Sequence, residues 1–346
     1  MERRNPKRFP RDDRLVYDAY IAGRQSAALA AAVRLGLFDA LASGPLEVAA
    51  LCARLDARER PLRSLLAALV AMKLLDQSGG AVRLAPEAAD YLVRGKPGWL
   101  GGLIDLEIEH FLDPRLLLDA MRRDDASVYG GEDPWEAHEA DPERARRFTA
   151  AMHSVSERPA AGLAEVVDFS RVSRLLDVGG GSGALSLAIA RAWPNVRCTI
   201  WDLPVVCGIA REYAAAAGLA ERVTAEPGDM FRDPFPSGHD AVLFSQILHD
   251  WAEERWPGLL AKAAAALPEG GLLLVHEKLV EDDGRGPLAN ALVNLDMLVW
   301  TEGRQLAPGE VRRLLSDAGF RDVERRATAG YWSVVIGRRR GGPTAA

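Results

Sequence analysis

Two residues have the types and the spacing to move a proton. His249 stands in Ser245-Gln-Ile-Leu-His-Asp-Trp251, directly after the apolar run 240–245, and Glu277 closes the run Leu272-Leu-Leu-Val-His-Glu277. Short apolar runs alternating with helical stretches read as parallel strands. Groups at the carboxyl ends of such strands face the ligand crevice of an open α/β sheet. A neutral imidazole there can take the proton of a phenol, whose unperturbed pKa near ~10 makes it a weak nucleophile until that proton leaves. A carboxylate at the next strand end can hold one ring nitrogen and stabilise the imidazolium. In isolation His249 would read as a core or helix-capping histidine, and Glu277 as a solvated strand-end acid. The strand-end position of both favours a base and its partner. His276 alternates to the other side of its strand and reads as structural.

The elements that must position this pair begin upstream. Arg174-Leu-Leu-Asp-Val178 reads as a buried strand, Gly179-Gly-Gly-Ser-Gly183 as a glycine-dense turn, and Ala184-Leu-Ser-Leu-Ala-Ile-Ala190 as a helix. Glycines let the backbone take unusual dihedrals and approach a ligand closely. Such a turn alone is weak evidence, because many nucleotide folds carry one. A second strand, 196–201, ends in Asp202. Its carboxylate can accept both hydroxyls of a ribose, as the acid after the second strand does in doubly wound folds. A helix cap is the plainer alternative, since Leu203-Pro204 follows. Gly228-Asp-Met-Phe231 comes one unit later, and no Lys or Arg lies within 179–184 to clamp a phosphate. The order of these three elements resembles class I S-adenosylmethionine (SAM)-dependent methyltransferases. The resemblance implies SAM as cofactor, held around Gly179, Gly181, Asp202 and Leu203. Asp229 would accept from the adenine amine, Met230 would pack on the ring, and Phe231 and Ser245 would complete the site.

Before this region, residues 14–95 read as short helices followed by a hairpin. Ala28–Leu41 is a strongly apolar helix and turn, 46–55 a second helix, 59–70 a third, and 74–84 two short runs around Ser78-Gly-Gly80. That is a winged-helix pattern. DNA binding is the obvious reading, but the third helix carries mainly Leu and Ala beside Arg60 and Arg63, not the basic footprint a DNA reader needs. A dimerisation domain is the better reading, with the apolar Ala28–Leu41 surface packing on a second copy. Residues 97–168 read as helical, with a loop at 129–135 and a capped helix start at Asp141-Pro142. Strands are expected at 174–178, 197–201, 222–226, 240–245, 271–277 and 331–337.

Leu248-His-Asp-Trp251, followed by Glu277 at the next strand end, makes the resemblance more specific. It is similar to the plant caffeate-type and bacterial polyketide O-methyltransferases, over nearly the whole chain. The resemblance implies a Rossmann-like α/β domain with a mostly parallel seven-stranded sheet, and an N-terminal winged-helix dimerisation domain. The expected division is 1–96 dimerisation, 97–168 helical linker, 169–340 catalytic domain and 341–346 disordered tail. In that family the histidine is the general base and the glutamate orients it, which carries over to His249 and Glu277. A second acid usually follows; here Glu302-Gly-Arg-Gln-Leu306 places Gln305 there, able to hydrogen-bond the histidine but without a negative charge. Asp250 and Asp296 are acids that could compensate. The substrate is implied to lie between the linker and the top of the sheet, against Phe148, Met152, His153, Asp250, Asp296, Met297 and Trp300. Tyr17, Tyr20 and Arg24 could reach a partner's pocket, with Arg24 pairing a substrate carboxylate. The expected acceptor is a small aromatic molecule bearing a hydroxyl; methylation of ring carbon ortho to a phenol would need the same base. The high Ala, Arg and Gly content resembles that of high-GC actinobacterial proteins, which would suit antibiotic or other secondary-metabolite tailoring.

Composition sets the outer limits. The 346 residues carry a net charge of -6 and are 48% hydrophobic, with a pI of about 5.7. Length allows two domains, and the acidic balance argues against nonspecific nucleic-acid binding. Cys52, Cys198 and Cys207 lack metal-ligand spacing, so no metal is expected, and so sparse a set fits a reducing cytoplasm. The charged start Met1-Glu-Arg-Arg lacks the apolar core of a signal peptide, and no apolar run has membrane-spanning length. A cytoplasmic protein without membrane or nucleic-acid partners is therefore expected.

Overall fold

The computed structural model describes residues 11–111, 113–124, 126, 128 and 134–341. Most of the loop expected at 129–135 and the tail after Gly341 lie outside the described residues. The chain divides into two compact units, Met1–Leu112 and Asp113–Ala346.

In the first unit, α1 (Arg14–Leu35) ends at Gly36, whose left-handed φ of 73° lets α2 (Leu37–Leu41) start at once. Then come β1 (Leu46–Glu47), α3 (Val48–Leu55), α4 (Glu59–Ala71), β2 (Leu75–Ser78), β3 (Ala81–Leu84), α5 (Pro86–Tyr91) and α6 (Gly101–Phe111). The three strands pair antiparallel in the order β1-β3-β2, a small winged-helix sheet. Leu62, Leu66 and Leu69, at three- and four-residue spacing on α4, are buried with Leu37, Phe38, Leu41 and Leu51. One expectation fails here. Ala30, Ala32, Val33, Leu37, Phe38, Ala40 and Leu41 are buried within the chain itself, all but Ala30 in the core of this unit, so most of the Ala28–Leu41 face is not left for a partner. The exposed apolar side chains lie earlier on α1, at Leu15, Val16, Tyr17 and Tyr20.

The second unit opens with α7 (Pro114–Arg123), α8 (Pro134–Ala140) and the long α9 (Pro142–Val166). The segment expected as one linker is thus divided, α6 falling in the first unit and α7–α9 in the second. Asp141 caps α9 by accepting from the amides of Glu143 and Arg144, with Pro142 in the first turn, where a missing N–H costs nothing.

Strands and helices then alternate: β4 (Arg174–Val178), α10 (Ala184–Ala192), β5 (Arg197–Asp202), α11 (Pro204–Ala216), β6 (Val223–Pro227), β7 (Ala241–Ser245), α12 (Trp256–Ala266), β8 (Leu272–Glu277), α13 (Leu288–Trp300), α14 (Pro308–Asp317), β9 (Phe320–Ala327) and β10 (Ser333–Arg339). The sheet order is β6-β5-β4-β7-β8-β10-β9, parallel through β8, with β10 antiparallel to β8 and β9. The chain winds from β4 outward through β5 and β6, then returns to β7 on the other side. That reversal opens a crevice at the carboxyl ends of β4, β5 and β7. Both sheet faces are covered. Leu175, Leu243 and Leu274 belong to one buried cluster, and Leu176, Val242, Phe244, Leu273 and Val275 to the other. This is the expected α/β architecture with seven strands.

Candidate active site

The glycine turn leaves β4 into α10. Gly179, Gly181 and Gly183 all have left-handed φ, between 58° and 79°. A Cβ at Gly179 would force the end of the Ile247 side chain to shift, and one at Gly183 that of Ile200, and the positive φ strains any side chain at either position. The Gly181 amide donates to Asp202 Oδ2 over 2.8 Å, and the Leu203 amide to Oδ1 over 2.7 Å. Asp202 is therefore aimed before any ligand arrives, while each oxygen keeps a lone pair for a further donor. Burial pushes its carboxyl up to about 6, against the two amides that favour the charged form.

Asp177 was not singled out from the sequence. It sits beneath this turn with 1% exposure, accepting from Ser186 Oγ at 2.7 Å through Oδ2. Its Oδ1 is buried without a hydrogen-bond partner, and burial raises its carboxyl to about 7. A charge inside an otherwise apolar parallel strand was the available signal.

The remaining expected cofactor residues line the same edge. Met230 borders Gly179. Asp229 Oδ1 already accepts from the amides of Phe231 and Arg232, at 2.8 and 3.2 Å, so the carboxylate also shapes its own turn. Phe231 meets Trp251 edge-on with centroids 4.5 Å apart. Trp251 is a second residue not assigned from the sequence, although it closes the motif that flagged His249. Ser245 sits against His276 Nδ1 at 3.0 Å, and His276 Nε2 against Thr328 Oγ1 at 3.0 Å. Burial drives His276 down to about 3, so it is neutral, a structural link as expected.

His249 lies in the short 3-10 turn Leu248–Asp250 after β7. The turn is pinned by Trp256, 1% exposed, whose indole N–H donates to the carbonyls of Leu248 and Trp251. The loop before α14 then presses on it from outside. A Cβ on Gly303 would collide with the His249 carbonyl, so this loop fits only with glycine there. Arg304 anchors the loop by donating to Glu253 and Glu310, and the Gln305 amide donates to Asn294 Oδ1 over 2.8 Å. This close approach delivers Gln305 to His249.

Four polar groups then converge. Glu277, fully buried, places Oε2 3.0 Å from His249 Nδ1, while its Oε1 accepts from the Ile247 amide at 3.1 Å. Oε2 makes no well-aligned hydrogen bond, so its hold on the ring is chiefly coulombic. Gln305 Nε2 lies 3.0 Å from the same Nδ1. Asp250 Oδ1 lies 3.3 Å from Nε2 on the other side of the ring. Burial alone would push His249 down; Glu277 and then Asp250 overcome it and hold the imidazole up at about 9, with Lys278 opposing. The two carboxylates thus favour the charged ring in the free site, whereas the sequence reading started from a neutral one. Burial raises Asp250 to about 7 despite its cationic neighbour.

On α9, Phe148, Met152 and Ser156 recur every four residues and share a face. Gln246 Nε2 donates to Ser156 Oγ at 3.2 Å, which sets that face at the end of β7. Phe148 packs on His138 at 4.7 Å and on Trp135 at 6.1 Å. His153 sits elsewhere. Its Nδ1 is 2.7 Å from Ser182 Oγ in the glycine turn, and its ring stacks on Tyr213 at 4.1 Å. These contacts hold it against the glycine turn and α11. Asp296, Met297 and Trp300 are half-buried on α13, with burial raising Asp296 to about 6 against Lys278. Arg24 lies exposed along its own helix, its guanidinium 2.7 Å from Tyr20 Oη and stacked on that ring.

A doubly wound sheet with a glycine turn, an oriented acid at the end of its second strand and a buried histidine–carboxylate pair beside its switch point is an architecture that binds nucleotides and nucleosides. Residues 116–321 match the family model of the O-methyltransferase domain, and residues 19–94 that of the O-methyltransferase dimerisation domain. The 3-hydroxy-5-methyl-1-naphthoate 3-O-methyltransferase of Streptomyces sahachiroi is 40% identical over 311 residues, 89% of this chain and 90% of that one. The tetracenomycin polyketide synthesis 8-O-methyl transferase TcmO of Streptomyces glaucescens is 36% identical, over 91% of this chain and 93% of its own. The crystal structure of human N-acetylserotonin methyltransferase in complex with SAM superposes with a TM-score of 0.87 at 29% identity, covering 98% of this chain and 100% of that one. The chain belongs to the SAM-dependent O-methyltransferase family.

The site fits that cofactor on its own chemistry. The ammonium of SAM suits the unpaired buried oxygen of Asp177, its ribose suits the two oriented oxygens of Asp202, and its lack of phosphate suits a turn without a basic clamp. Among the described residues, no helix is long and apolar enough to cross a membrane.

Proposed function

We propose that this chain methylates a phenolic hydroxyl of a small polyketide-type aromatic molecule, acting as a homodimer, with His249 as general base. The observation that carries the base assignment is the His249–Glu277 pair at 3.0 Å, buried at the strand ends beside the glycine turn. When bound, SAM supplies an electrophilic methyl group on its sulfonium. Gly179, Gly181, Asp202 and Leu203 would hold its ribose side, Asp177 its ammonium, and Met230, Phe231 and Trp251 its adenine. Phe148 and Met152 from α9, with Met297 and Trp300 from α13, would clamp the flat acceptor ring.

His249 Nε2 is the ring nitrogen that would meet the acceptor, because Nδ1 is taken by both Glu277 and Gln305, whereas Nε2 is bordered only by Asp250, at 3.3 Å, which the acceptor hydroxyl would have to displace. With the imidazole held at about 9, its proton affinity approaches that of a phenol, near ~10. Once Nε2 has released its own proton to solvent, the phenol's proton is shared between the two at little cost, and the oxygen carries phenolate character while it attacks. Glu277 keeps Nδ1 protonated and balances the imidazolium. Burial excludes the water that would compete for the proton.

The test uses 3-hydroxy-5-methyl-1-naphthoate, the acceptor in the name of the S. sahachiroi relative, and related hydroxynaphthoates. Each is incubated with the protein and SAM, and the products are read by mass spectrometry and NMR. The expected product gains one methyl group and loses its phenolic proton. A product methylated on carbon would keep that proton and overturn O-methylation. His249→Ala should lower turnover about 10²–10⁴-fold with cofactor affinity intact. Near-normal turnover of that variant across a pH series would remove His249 as the base.

A further inference from the structure

The Nδ1 side of His249 receives two unlike partners at the same distance. Glu277 Oε2 and Gln305 Nε2 each lie 3.0 Å from that atom, and both residues are almost completely buried. A carboxylate only accepts, so it favours a hydrogen on Nδ1. An amide can offer either its NH2 to a bare nitrogen or, after rotation, its carbonyl to an N–H. Gln305 Oε1 is itself buried without a partner, so no competing contact fixes the amide in one orientation.

The charges around the ring are few and can be named. Glu277 ends β8 and Lys278 follows it, Asp250 comes from the turn of His249 itself, and Gln305 from the loop before α14; Lys278 also acts on Asp296 of α13. Two carboxylates already border the imidazole, one at each nitrogen, with Lys278 opposing. A carboxylate at position 305 would be a third, at the same distance as Glu277. We infer that Gln305 is a positioning residue whose neutrality limits the anions around His249 to two, so that the ring can still lose its proton to solvent and then, as a neutral imidazole, take the proton of a phenol.

This rests on the reading of His249 as the base, but its test does not require turnover. The full-length protein is labelled with 13C at histidine Cε1 and titrated by NMR, the His249 signal being the one lost in His249→Ala. The wild-type signal is expected to pass its midpoint near about 9. Gln305→Glu should move the midpoint up by about one to three pH units, leaving the ring charged at pH values where the wild type has lost half its protons. Gln305→Met removes the amide without adding charge and should move it by less than one unit. Binding of S-adenosylhomocysteine by calorimetry checks that each variant is folded. A Gln305→Glu midpoint that coincides with the wild type overturns the inference, including the case in which the new carboxyl simply stays protonated. Equal shifts in both variants also overturn it, because packing rather than charge would then be responsible. If His249→Ala keeps its turnover while Gln305→Glu still shifts the midpoint, only the base assignment fails.

Discussion

Replacing Glu277 by Gln tests the electrostatics of the site most directly, because the shape is kept and one charge is removed. The carboxylate of Glu277 stands 3.0 Å from His249 Nδ1 in a fully buried setting. With charge centres about 4 Å apart and an effective dielectric near 20, the attraction is about 4 kcal/mol. At 1.36 kcal/mol per unit that corresponds to about three pH units. The imidazole, now near about 9, should fall to about 6 in the variant. A second effect follows from hydrogen bonding. The Ile247 amide donates to Glu277 Oε1, so a glutamine will keep its carbonyl there and turn its NH2 toward Nδ1. That favours the tautomer with hydrogen on Nε2, where the acceptor's proton has to land. We therefore expect the acid limb of kcat/KM to move down by about three units while the plateau drops about 10²–10³-fold. The assay is kcat/KM against pH with a hydroxynaphthoate acceptor, with S-adenosylhomocysteine affinity as the check on folding. An acid limb that stays in place in a folded variant would refute the coulombic account of His249.

Asp202→Ala should weaken S-adenosylhomocysteine by about 1.5–3 kcal/mol, roughly 10- to 100-fold, in calorimetry; unchanged affinity would exclude Asp202 from the ribose contact. Asp177 is raised by burial to about 7, so the folded state holds this proton longer than the unfolded chain and loses stability as pH rises from about 4 to 7. Asp177→Asn should therefore raise the ligand-free melting temperature at pH 8 but not at pH 4, while weakening the cofactor; an unchanged melting curve at pH 8 would count against a costly buried charge. Tyr17→Asp with Tyr20→Asp places two charges on the exposed apolar start of α1 and should shift the light-scattering mass from dimer toward monomer, whereas an undisturbed dimer would move the interface elsewhere.

The strands that bury both faces were legible because their sequences are continuous apolar runs. Strand β9 was not read from its residues, since Arg321, Asp322, Glu324, Arg325 and Arg326 give it the composition of a loop; it survives at the sheet edge, where its side chains meet water. The apolar Ala28–Leu41 run was read as a partner surface. Hydrophobicity alone does not say whether a helix is covered by its own chain or by another, and here its own unit covers most of it. His249 and Glu277 were legible from strand-end position, and the structure brings them together. Gln305 came only through family resemblance, because its approach depends on Gly303 nesting against a turn more than fifty residues away in sequence. Asp177 escaped notice because an acid within a strand looks like an interruption until the turn above it is folded.

In the proposed site, Asp202 and Asp177 read the ribose and the ammonium, two groups that are identical in the donor before and after it gives up its methyl. Neither acid can tell fresh donor from spent. The thioether product should compete on nearly equal terms, and flux should follow the ratio of the two forms in the cell rather than the amount of donor alone. Such an enzyme finishes its work only where something else clears the spent form. Progress curves that slow as it accumulates, and recover when a hydrolase removes it, would carry that signature.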